Sequence, residues 1–370
     1  MSVTEPVSPE SSVRPRPKDH LKEPHRLRDR KVLLVALSLL GLLVAGAVVG
    51  VMVLQNRLNS NIERIGDPFA GLPTRPAVPT PAATDSSASD KAKPVNILMV
   101  GSDSRISAGD PAQWAAGAQR TDAIMLIHIP ADRGSASLFS IPRDSWVDIP
   151  GHGQAKINAA YSWGGPALLI QTVEQLTNVR IDHLVITDFE SFKTLTDELG
   201  GVEITVPKAT YDHGTLAMPA GTHLLSGDQA LLYVRERYGL ARGDFDRVQR
   251  QQNWMRAIFA RAVSQNTLTN PPALLSFLTA VTKSVAVDNE FSLDQMRSLA
   301  LSMRGVRGRD VGFYTVPVTG TGRSPDGAQS IVVLNRPAFD QLMVAVANDQ
   351  VAAYLLAHPH DVDTLTNVVS

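Results

Sequence analysis

The segment Val95–Arg105 reads VNILMVGSDSR and sets the fold of the chain. Its first six residues are mostly apolar and too few for a helix, and Gly101 ends the run, so they predict a buried strand. Polar residues, Asp103 among them, follow this strand directly. Further strands and helices alternate along the chain after it. This alternation predicts an α/β domain in which helices cover both faces of a central mixed sheet, an α-β-α layering.

The other predicted elements come from apolar periodicity and from the glycines and prolines that interrupt it. Predicted strands lie at 123–129, 136–141, 146–149, 183–189, 202–206, 311–317 and 329–334. Predicted helices lie at 164–178, 190–199, 227–233, 245–264, 271–284, 292–304 and 336–348. Gly200 and Gly201 end one of these helices, and Ser226 is a suitable N-cap for another.

Residues 32–54 form a long stretch without a charged side chain. As a helix this stretch would be roughly 34 Å long, which is enough to cross a bilayer core. A secretory signal peptide is the alternative, but its apolar region is typically only about 7–15 residues long. Four basic residues stand just before the stretch: Arg26, Arg28, Arg30 and Lys31. The positive-inside rule therefore predicts a single-pass cell-membrane protein with a cytoplasmic N-terminus and the rest of the chain outside.

This predicted transmembrane helix divides the chain. Residues 1–31 are rich in Pro, Ser and charge and are expected to be a disordered cytoplasmic arm. Residues 55–94 are rich in Pro, Ala and Ser and are expected to be a linker that holds the domain away from the membrane. The extracytoplasmic domain is expected over 95–350, followed by a tail over 351–370.

Composition excludes several classes of function. Apolar residues make up 44% of the chain and charged residues 19%, so a packed core is feasible. The formal net charge of -1 argues against nucleic acid as the main partner. The absence of cysteine excludes disulfides, thiolate nucleophiles and cysteine-bound zinc. The chain also lacks a His-Glu-x-x-His helix and a Gly-x-Ser-x-Gly turn, which argues against the corresponding proteases and hydrolases.

Charged residues concentrate at the predicted strand ends, where α/β proteins commonly place their sites. Asp103 and Asp122 are candidates to share a divalent cation, since paired carboxylates suit magnesium. Guanidinium groups match phosphate oxygens, and the candidates for such contacts are Arg120, Arg143, Arg235, Arg237 and Arg247. An ordinary structural ion pair is the alternative for each of these residues, and spacing alone does not choose between the two. Arg235 and Arg237 would point the same way only in an extended stretch.

With these segments the chain resembles the LytR-CpsA-Psr family of bacterial cell-wall glycopolymer ligases. The similar segments are Asn96–Arg105, Arg120–Asp122, Ser140–Asp144, Lys156–Tyr161, Gly164–Pro166, Asp182–His183, Leu199–Val202, Pro219–His223, Leu231–Arg237 and Asp244–Gln252. They occur in the family's order within residues 95–265. The gap between Arg105 and Arg120 is longer than the resemblance leads us to expect.

The resemblance implies a phosphotransferase that moves a glycan from a polyprenyl-pyrophosphate carrier to peptidoglycan through a phosphodiester, at the cell membrane. It implies Mg²⁺ as cofactor, held by Asp103 and Asp122. It implies pyrophosphate contacts from Arg120, Arg143, Lys156, Arg235, Arg237, Arg247 and Gln251. The implied catalytic residues are Arg120, Arg143, Arg247 and Asp244, the last of which would orient or deprotonate the attacking hydroxyl. The prenyl tail is expected in an apolar tunnel.

Two other functions remain open from the sequence. One is hydrolysis of the polyprenyl pyrophosphate by the same residues, with water as the acceptor. The other is a non-catalytic envelope adaptor or regulator. The basic arm before residue 32 is too short for a DNA-binding domain, which argues against direct regulation through DNA. The Ala- and Val-rich composition of the sequence resembles that of actinobacterial members of the family, which suggests arabinogalactan as the glycan.

Overall fold

The computed structural model of the chain describes residues 50, 52–77, 92–102, 121–212, 215–235, 242–262, 270–366 and 369. The chain divides into two units, Met1–Asn56 and Arg57–Ser370. In the first unit the described residues are helical, and among all described residues no helix is long and apolar enough to cross a membrane. The predicted arm over 1–31 lies outside the described residues, as does the predicted span over 32–54 except for residues 50 and 52–54.

Sixteen strands lie in the described part of the second unit. They are β1 (Glu63–Arg64), β2 (Val95–Ser102), β3 (Thr121–Ile129), β4 (Ala136–Ile141), β5 (Trp146–Ile149), β6 (Gly153–Lys156), β7 (His183–Asp188), β8 (Val202–Val206), β9 (Thr210–Asp212), β10 (Thr215–Met218), β11 (Gly221–Leu225), β12 (Ala286–Val287), β13 (Val311–Thr315), β14 (Val318–Arg323), β15 (Ser330–Leu334) and β16 (Asp363–Thr364).

The helices of the same described part alternate with these strands. They are α1 (Ile157–Thr177), α2 (Phe189–Glu198), α3 (Gly227–Arg235), α4 (Asp244–Ala262), α5 (Pro271–Lys283), α6 (Leu293–Ser302), α7 (Arg336–Ala347) and α8 (Val351–Ala357). Caps fix several of the ends: the Asp188 carboxylate accepts a hydrogen bond from the Ser191 N–H at the start of α2, and Ser292 and Gln295 form a capping box on α6.

The main sheet has eight strands in the order β1-β12-β7-β2-β3-β4-β13-β16. Its centre is mixed, because β2 runs parallel to β7 and antiparallel to β3, while β13 runs parallel to β4. The predicted α/β fold with a central mixed sheet is therefore confirmed.

Both faces of this sheet are covered, as strands with alternating buried side chains require. One core contains Leu98, Ile124 and Phe139 from the strands and packs against α1 and α7. The core on the other face contains Ile97 and Met125 and packs against α6 and one side of α4. A third cluster, centred on Trp254 of α4, joins α2, α3 and β8.

Helix α1 begins earlier than the sequence predicts. The prediction placed the start at Gly164, but the helix begins at Ile157 and is interrupted by non-helical backbone at Gly164 and Gly165. Gly165 has a φ of 62°, a left-handed value that glycine adopts at little cost. The glycine pair and the following Pro166 therefore mark a kink inside the helix rather than its beginning.

Residues 57–77, predicted as part of the linker, fold onto the domain and are called the N-terminal strap below. Leu58 and Ile62 are buried, and β1 adds a parallel strand to the main sheet beside β12. Further along, the Arg75 guanidinium binds the buried Glu174 carboxylate of α1 at 2.7 Å and lies over the Phe69 ring. The Pro-rich composition that predicted an extended linker here conceals these apolar and charged anchor residues.

The expected tail over 351–370 also packs on the domain where it is described. Helix α8 places Val351 and Tyr354 in the core, and β16 pairs with β13 at the edge of the main sheet. His358 stacks on the Tyr354 ring at 4.5 Å between centroids. The tail prediction missed this order because β16 has only two residues and its strand partner lies about fifty residues earlier in the chain.

A polar network joins β3 to the turn between α7 and α8. The buried His128 ring lies between Asn96 Oδ1, 2.8 Å from Nδ1, and Asp349 Oδ1, 3.0 Å from Nε2. The second Asp349 oxygen accepts the Ala131 N–H at 3.0 Å. Burial alone would raise the pKa of Asp349, but the hydrogen bonds from His128 and Ala131 hold this pKa below its ordinary value. The ionised carboxylate is thus the form that the fold stabilises.

This network predicts acid sensitivity with a defined sign. A carboxyl whose pKa is lowered by folding stabilises the protein above its unfolded pKa, near 3.8, and that contribution is lost as the pH falls through the folded value. We expect Asp349→Asn to cost about 1 kcal/mol of unfolding free energy at pH 7 and to flatten the loss of stability below about pH 4. Urea unfolding at several pH values measures both effects. Parallel pH profiles of the two proteins would contradict this role of Asp349.

Candidate functional site

Asp122 sits at an irregularity where β3 leaves its regular pairing with β2. Gly101 pairs with Ala123 and Ser102 pairs with Thr121, so Asp122 is the extra residue of a β-bulge. Bulges re-aim a side chain and are common beside active sites. The Asp122 carboxylate forms an ion pair with Arg143, which follows the end of β4. The structure therefore brings together two predicted site residues that are 21 positions apart.

The loop that carries Arg143 is fixed by backbone hydrogen bonds to its surroundings. The Ser145 N–H bonds to the Pro142 carbonyl at 2.9 Å, and the first helical residues of α1 donate to the carbonyls of Ser145 and Arg143. Lys156 directly precedes α1, and its Nζ lies 3.3 Å from Asp144 Oδ1. We call Asp122, Arg143, Asp144 and Lys156 the loop cluster. Its two cations and two carboxylates are each less than a third exposed.

Arg143 keeps one donor free. Its Nε atom is buried and makes no hydrogen bond within the part of the chain that the structure describes. A buried guanidinium N–H without a partner costs free energy, so such an atom is expected to meet a ligand acceptor. The Arg143 Nε–H can accordingly donate a hydrogen bond to an anionic ligand oxygen while Asp122 holds the guanidinium in place.

One turn of α4 connects the separate parts of the site. Gln252 Nε2 donates to Ser140 Oγ at 2.8 Å and to the Tyr314 carbonyl at 2.9 Å, which holds α4 against the end of β4 just before Arg143. Arg250 Nη1 donates to the Tyr233 carbonyl at 3.2 Å, and its guanidinium lies 4.8 Å from the Tyr233 ring centre. Tyr233 belongs to the last turn of α3, which ends at Arg235.

An apolar pocket opens beside this turn of α4. Its cavity volume is about 40 Å³, and about 400 Å³ of empty space lies in the cavity and its open mouth together. Its walls come from the ends of β2 and β3, from α2 and from α4, with Met99, Ala123, Phe192, Gln251, Trp254 and Met255 among the lining residues. Ala123 on the pocket wall is the chain neighbour of Asp122 in the loop cluster. Gln251, a predicted pyrophosphate contact, lies on the same wall.

The remaining predicted site residues fall into two groups. Asp103, Arg120 and Arg237 lie outside the described residues. Asp244 is the first residue of α4, Arg247 is buried within its first turns, and Arg235 is exposed in the last turn of α3. Because Arg235 is helical, the extended stretch that would align it with Arg237 does not include it.

Sequence reasoning missed the residues that support this site. Arg250 and Gln252 are buried at 4% and 0% exposure, and they position α3 and β4 without having been singled out. Asp188, on the pocket wall, was also missed. The signal in the sequence that could have identified them is the density of polar residues in α4. Four of these residues lie within five positions and are all buried in the structure, namely Asp246, Arg247, Gln249 and Arg250. Buried polar groups of this kind need partners, which predicts contacts with other elements.

The predicted magnesium site can be tested against Asp122 only. Among the described residues no group of three or more histidine, aspartate or glutamate side chains could hold a metal ion. Asp122 supplies the hard carboxylate oxygens that Mg²⁺ prefers. A carboxylate offers about four lone pairs, so the ion pair with Arg143 leaves acceptor capacity for a cation. The donor chemistry of Asp122 thus fits magnesium, and the second predicted ligand, Asp103, is outside the described residues.

Two curated relatives are similar to this chain in sequence. "Cell wall biosynthesis protein LcpA" of Corynebacterium glutamicum is 34% identical over 288 residues, which cover 68% of this chain and 55% of the relative. The chain thus spans about half of that relative's length. "Polyisoprenyl-teichoic acid--peptidoglycan teichoic acid transferase TagU" of Enterococcus faecalis is 33% identical over 236 residues, or 64% of this chain and 73% of the relative.

A solved structure shares the fold. The "LytR-Csp2A-Psr enzyme from Actinomyces oris" superposes with a TM-score of 0.57 at 23% identity, over 77% of this chain and 96% of that one. The model of the LytR_cpsA_psr family matches residues 75–346, which include the loop cluster, the apolar pocket and all of α4. With this match across most of the chain, the protein belongs to the LytR_cpsA_psr family.

Proposed function

We propose that the protein is a membrane-anchored phosphotransferase that moves a glycopolymer from a polyprenyl-pyrophosphate carrier to peptidoglycan and forms a phosphodiester. The observation that carries this proposal is that one folded unit holds an apolar pocket lined by Ala123 and a charged loop cluster that includes the chain neighbour of Ala123, Asp122. A prenyl pyrophosphate has the same two parts, a long apolar tail and a dianionic head. The name of the related TagU describes a transfer from a polyisoprenyl carrier to peptidoglycan.

The proposed donor is held in two ways. Its tail enters the apolar pocket between the sheet and α4, where each buried CH₂ contributes about 0.8 kcal/mol. Its diphosphate meets Arg143, whose buried Nε lacks a partner in the described structure, with Lys156 next in the loop cluster. Arg247 and Gln251 lie one helical turn apart on α4, so they can approach the same diphosphate from the pocket side. Arg120, Arg235 and Arg237 complete the proposed contacts.

The proposed reaction needs positioning and charge neutralisation more than a covalent nucleophile. The acceptor hydroxyl attacks the phosphorus that carries the glycan, its P–O bond to the prenyl phosphate breaks, and prenyl monophosphate leaves. The hydroxyl proton passes to a base, for which Asp244 at the head of α4 is the candidate. Arg143 stabilises the charge that builds up on the phosphoryl oxygens. Mg²⁺, held by Asp122 and Asp103, would neutralise further phosphate charge when bound.

The further parts of the proposal concern place and substrate. The donor is a membrane lipid, so a span over 32–54 with the domain outside the cell would keep enzyme and donor together. The actinobacterial style of the sequence suggests arabinogalactan as the glycan. Peptidoglycan is the proposed acceptor, and nucleic acid is not a proposed partner.

Product analysis tests this function. The full chain in lipid nanodiscs is incubated with a polyprenyl-pyrophosphate glycan and Mg²⁺, with and without peptidoglycan. A transferase yields muropeptides whose mass includes the glycan and one bridging phosphate, and only when peptidoglycan is present. Free glycan phosphate released equally in both reactions would identify a hydrolase. No turnover, together with full restoration of wall attachment by an Arg143→Ala protein in a deletion strain, would identify an adaptor.

Filling the pocket should affect the lipid selectively. Ala123→Leu adds a larger side chain to the wall shared by β2, β3 and α4. We expect a rise in KM of at least about tenfold for donors with long prenyl tails, because lost tail burial amounts to more than about 1.4 kcal/mol. Donors with very short tails should be affected much less. Ala353→Leu on the exposed side of α8 is the matched control. Equal effects of Ala123→Leu on both donor lengths would argue against tail binding in this pocket.

A further inference from the structure

Strands β5 and β6 form a hairpin whose two faces differ in polarity. In its register Trp146 lies opposite Lys156, and Asp148 lies opposite Gln154. Directly opposed residues and alternate residues of a strand share a face, so these four side chains lie on one side of the hairpin, called the hairpin face below. The other side is buried in the core that packs against α1, and its residues are Val147, Ile149 and Ala155.

Tryptophan is concentrated at this hairpin. Of the three tryptophans in the described part of the chain, Trp254 is buried, and the other two lie in the hairpin or against it. Trp146 is half-buried and donates from Nε1 to Gln154 Oε1 at 3.1 Å, which holds its ring on the hairpin face. At the turn, Trp163 of α1 is 45% exposed and lies against the His152 ring, with 5.0 Å between the ring centres. Aromatic side chains that are left at a surface in this way are typical of binding sites.

The chemistry of this surface suits a sugar chain. Sugar rings have C–H faces that pack on aromatic rings, and their hydroxyls form hydrogen bonds with carboxylate and amide groups such as those of Asp148 and Gln154. The hairpin face carries one carboxylate, on Asp148, and one ammonium, on Lys156, so its charges balance and favour a neutral chain over a polyanion. The two ends of its four-residue strands are roughly 10 Å apart, which is longer than one sugar ring.

The position of the hairpin indicates which sugar chain binds. The hairpin face adjoins the loop cluster, because Lys156 belongs to both. The apolar pocket lies on the other face of the main sheet, since its lining residues Met99 and Met255 pack in the core that contains α6, whereas the buried side of the hairpin belongs to the core with α1. In the proposed function the prenyl phosphate leaves on the pocket side. An in-line displacement brings the attacking oxygen from the opposite side of the phosphorus, which is the side of the hairpin.

We propose that the hairpin face is the acceptor subsite, which binds the glycan strand of peptidoglycan and presents its hydroxyl to the phosphorus at Arg143. Trp146 stacks on a sugar ring close to the reacting hydroxyl, and Asp148 and Gln154 bind hydroxyls of the same strand. The Trp163–His152 pair at the turn contacts the strand further along. The inference rests on the proposed function, and it adds the place at which that function takes its acceptor.

Binding without turnover tests this subsite. Calorimetric titration of the full chain in nanodiscs with soluble, uncrosslinked peptidoglycan glycan strands gives one Kd, and titration with a short-chain polyprenyl-pyrophosphate glycan gives the Kd of the donor. Trp146→Ala should raise the Kd for glycan strands at least about fivefold and leave the donor Kd unchanged. Trp163→Ala, at an exposed position, should also raise the Kd for glycan strands. Trp146→Phe keeps an aromatic face and should retain most of the affinity.

A matched control and the donor titration make the outcome decisive. Leu301→Ala removes a large exposed apolar side chain from α6, on the other face of the main sheet, and should change neither Kd. Thermal unfolding checks that each variant is folded. An unchanged Kd for glycan strands in both folded tryptophan-to-alanine variants, or no measurable strand binding by the parent chain, would overturn the proposal. A rise confined to the donor Kd would overturn it too, because it would assign the hairpin face to the sugars of the donor.

The two titrations also separate this inference from the proposed function. Neither titration needs turnover, so strand binding that depends on Trp146 can be observed in a chain that shows no transfer in the product assay. That combination would support the subsite and contradict the transferase. Transfer in the product assay together with strand binding that is unaffected by the tryptophan variants would do the reverse.

Discussion

Arg143→Ala is expected to lower the rate of glycan transfer about 100- to 1000-fold, the loss seen when one preorganised donor to a transition-state oxyanion is removed. Arg143 is held by Asp122, and its buried Nε has no hydrogen-bond partner in the described structure. Both facts indicate a guanidinium prepared for a ligand rather than one saturated by the fold. Initial rates with a polyprenyl-pyrophosphate glycan and peptidoglycan measure the effect. The larger part should appear in kcat, because charge builds up in the transition state.

A matched control separates this role from general charge effects. Arg336→Ala makes the same substitution at an exposed site. Arg336 forms an i,i+4 ion pair with Asp340 on α7, and both partners are 52% exposed. Its transfer rate should equal that of the parent. Arg143→Lys, which keeps the charge but loses the fork geometry, should recover only part of the activity. An Arg143→Ala protein that is folded and transfers glycan within twofold of the parent rate would remove Arg143 from the mechanism.

Arg75→Ala is expected to destabilise the domain by about 3 kcal/mol, because it leaves the buried Glu174 carboxylate without its cation. Glu174 is 3% exposed and receives hydrogen bonds from Arg75 Nε and Nη2 and from the Ile181 N–H. The remaining Ile181 bond does not balance the charge, and the contact between the Arg75 guanidinium and the Phe69 ring within the strap is also lost. Denaturant unfolding with linear extrapolation measures the change.

The double variant Arg75→Met/Glu174→Leu provides the control for this second prediction. Replacing both members of a buried pair with apolar residues is often close to neutral, so much of the lost stability should return. Arg336→Ala should stay within about 0.5 kcal/mol of the parent, as for other exposed pairs. If Arg75→Ala also changed the free energy of unfolding by no more than about 0.5 kcal/mol, the strap would not be fixed at its far end.

The elements with strong local signals could be predicted from the sequence. Strands β4, β5 and β8 have the predicted bounds because an apolar run or a strict alternation is bounded by turn residues on both sides. Helices α5 and α7 end within one residue of their predicted C-termini for a similar reason. These signals act over a few residues, so they require no knowledge of what lies across the fold.

The elements that depend on distant partners were missed. β1, β12 and β16 have two residues each and exist because a neighbouring strand in the sheet completes their hydrogen bonds. The folded strap was hidden in the same way, since Arg75 finds Glu174 about one hundred residues later. The start of α1 was misplaced because a glycine pair inside a helix looks the same in sequence as one before it.

For the site, the sequence identified residue types and the fold supplied their arrangement. The strand-end rule selected Asp122 and Arg143, which the structure joins in one ion pair. The bulge at Asp122 carries no local sequence signal, and the polar residues of α4 predict that Gln252 and Arg250 have partners without identifying β4 and α3 as those partners.

The central claim is that one lipid diphosphate lies with its head at Arg143 and its tail in the apolar pocket. The most direct measurement uses a prenyl pyrophosphate with a photoreactive diazirine in the tail, crosslinked to the full chain in nanodiscs and mapped by mass spectrometry. The account predicts crosslinks to Met99, Trp254 and Met255 that Arg143→Ala weakens strongly. Crosslinks confined to other surfaces, or unchanged labelling of the pocket in Arg143→Ala, would contradict it.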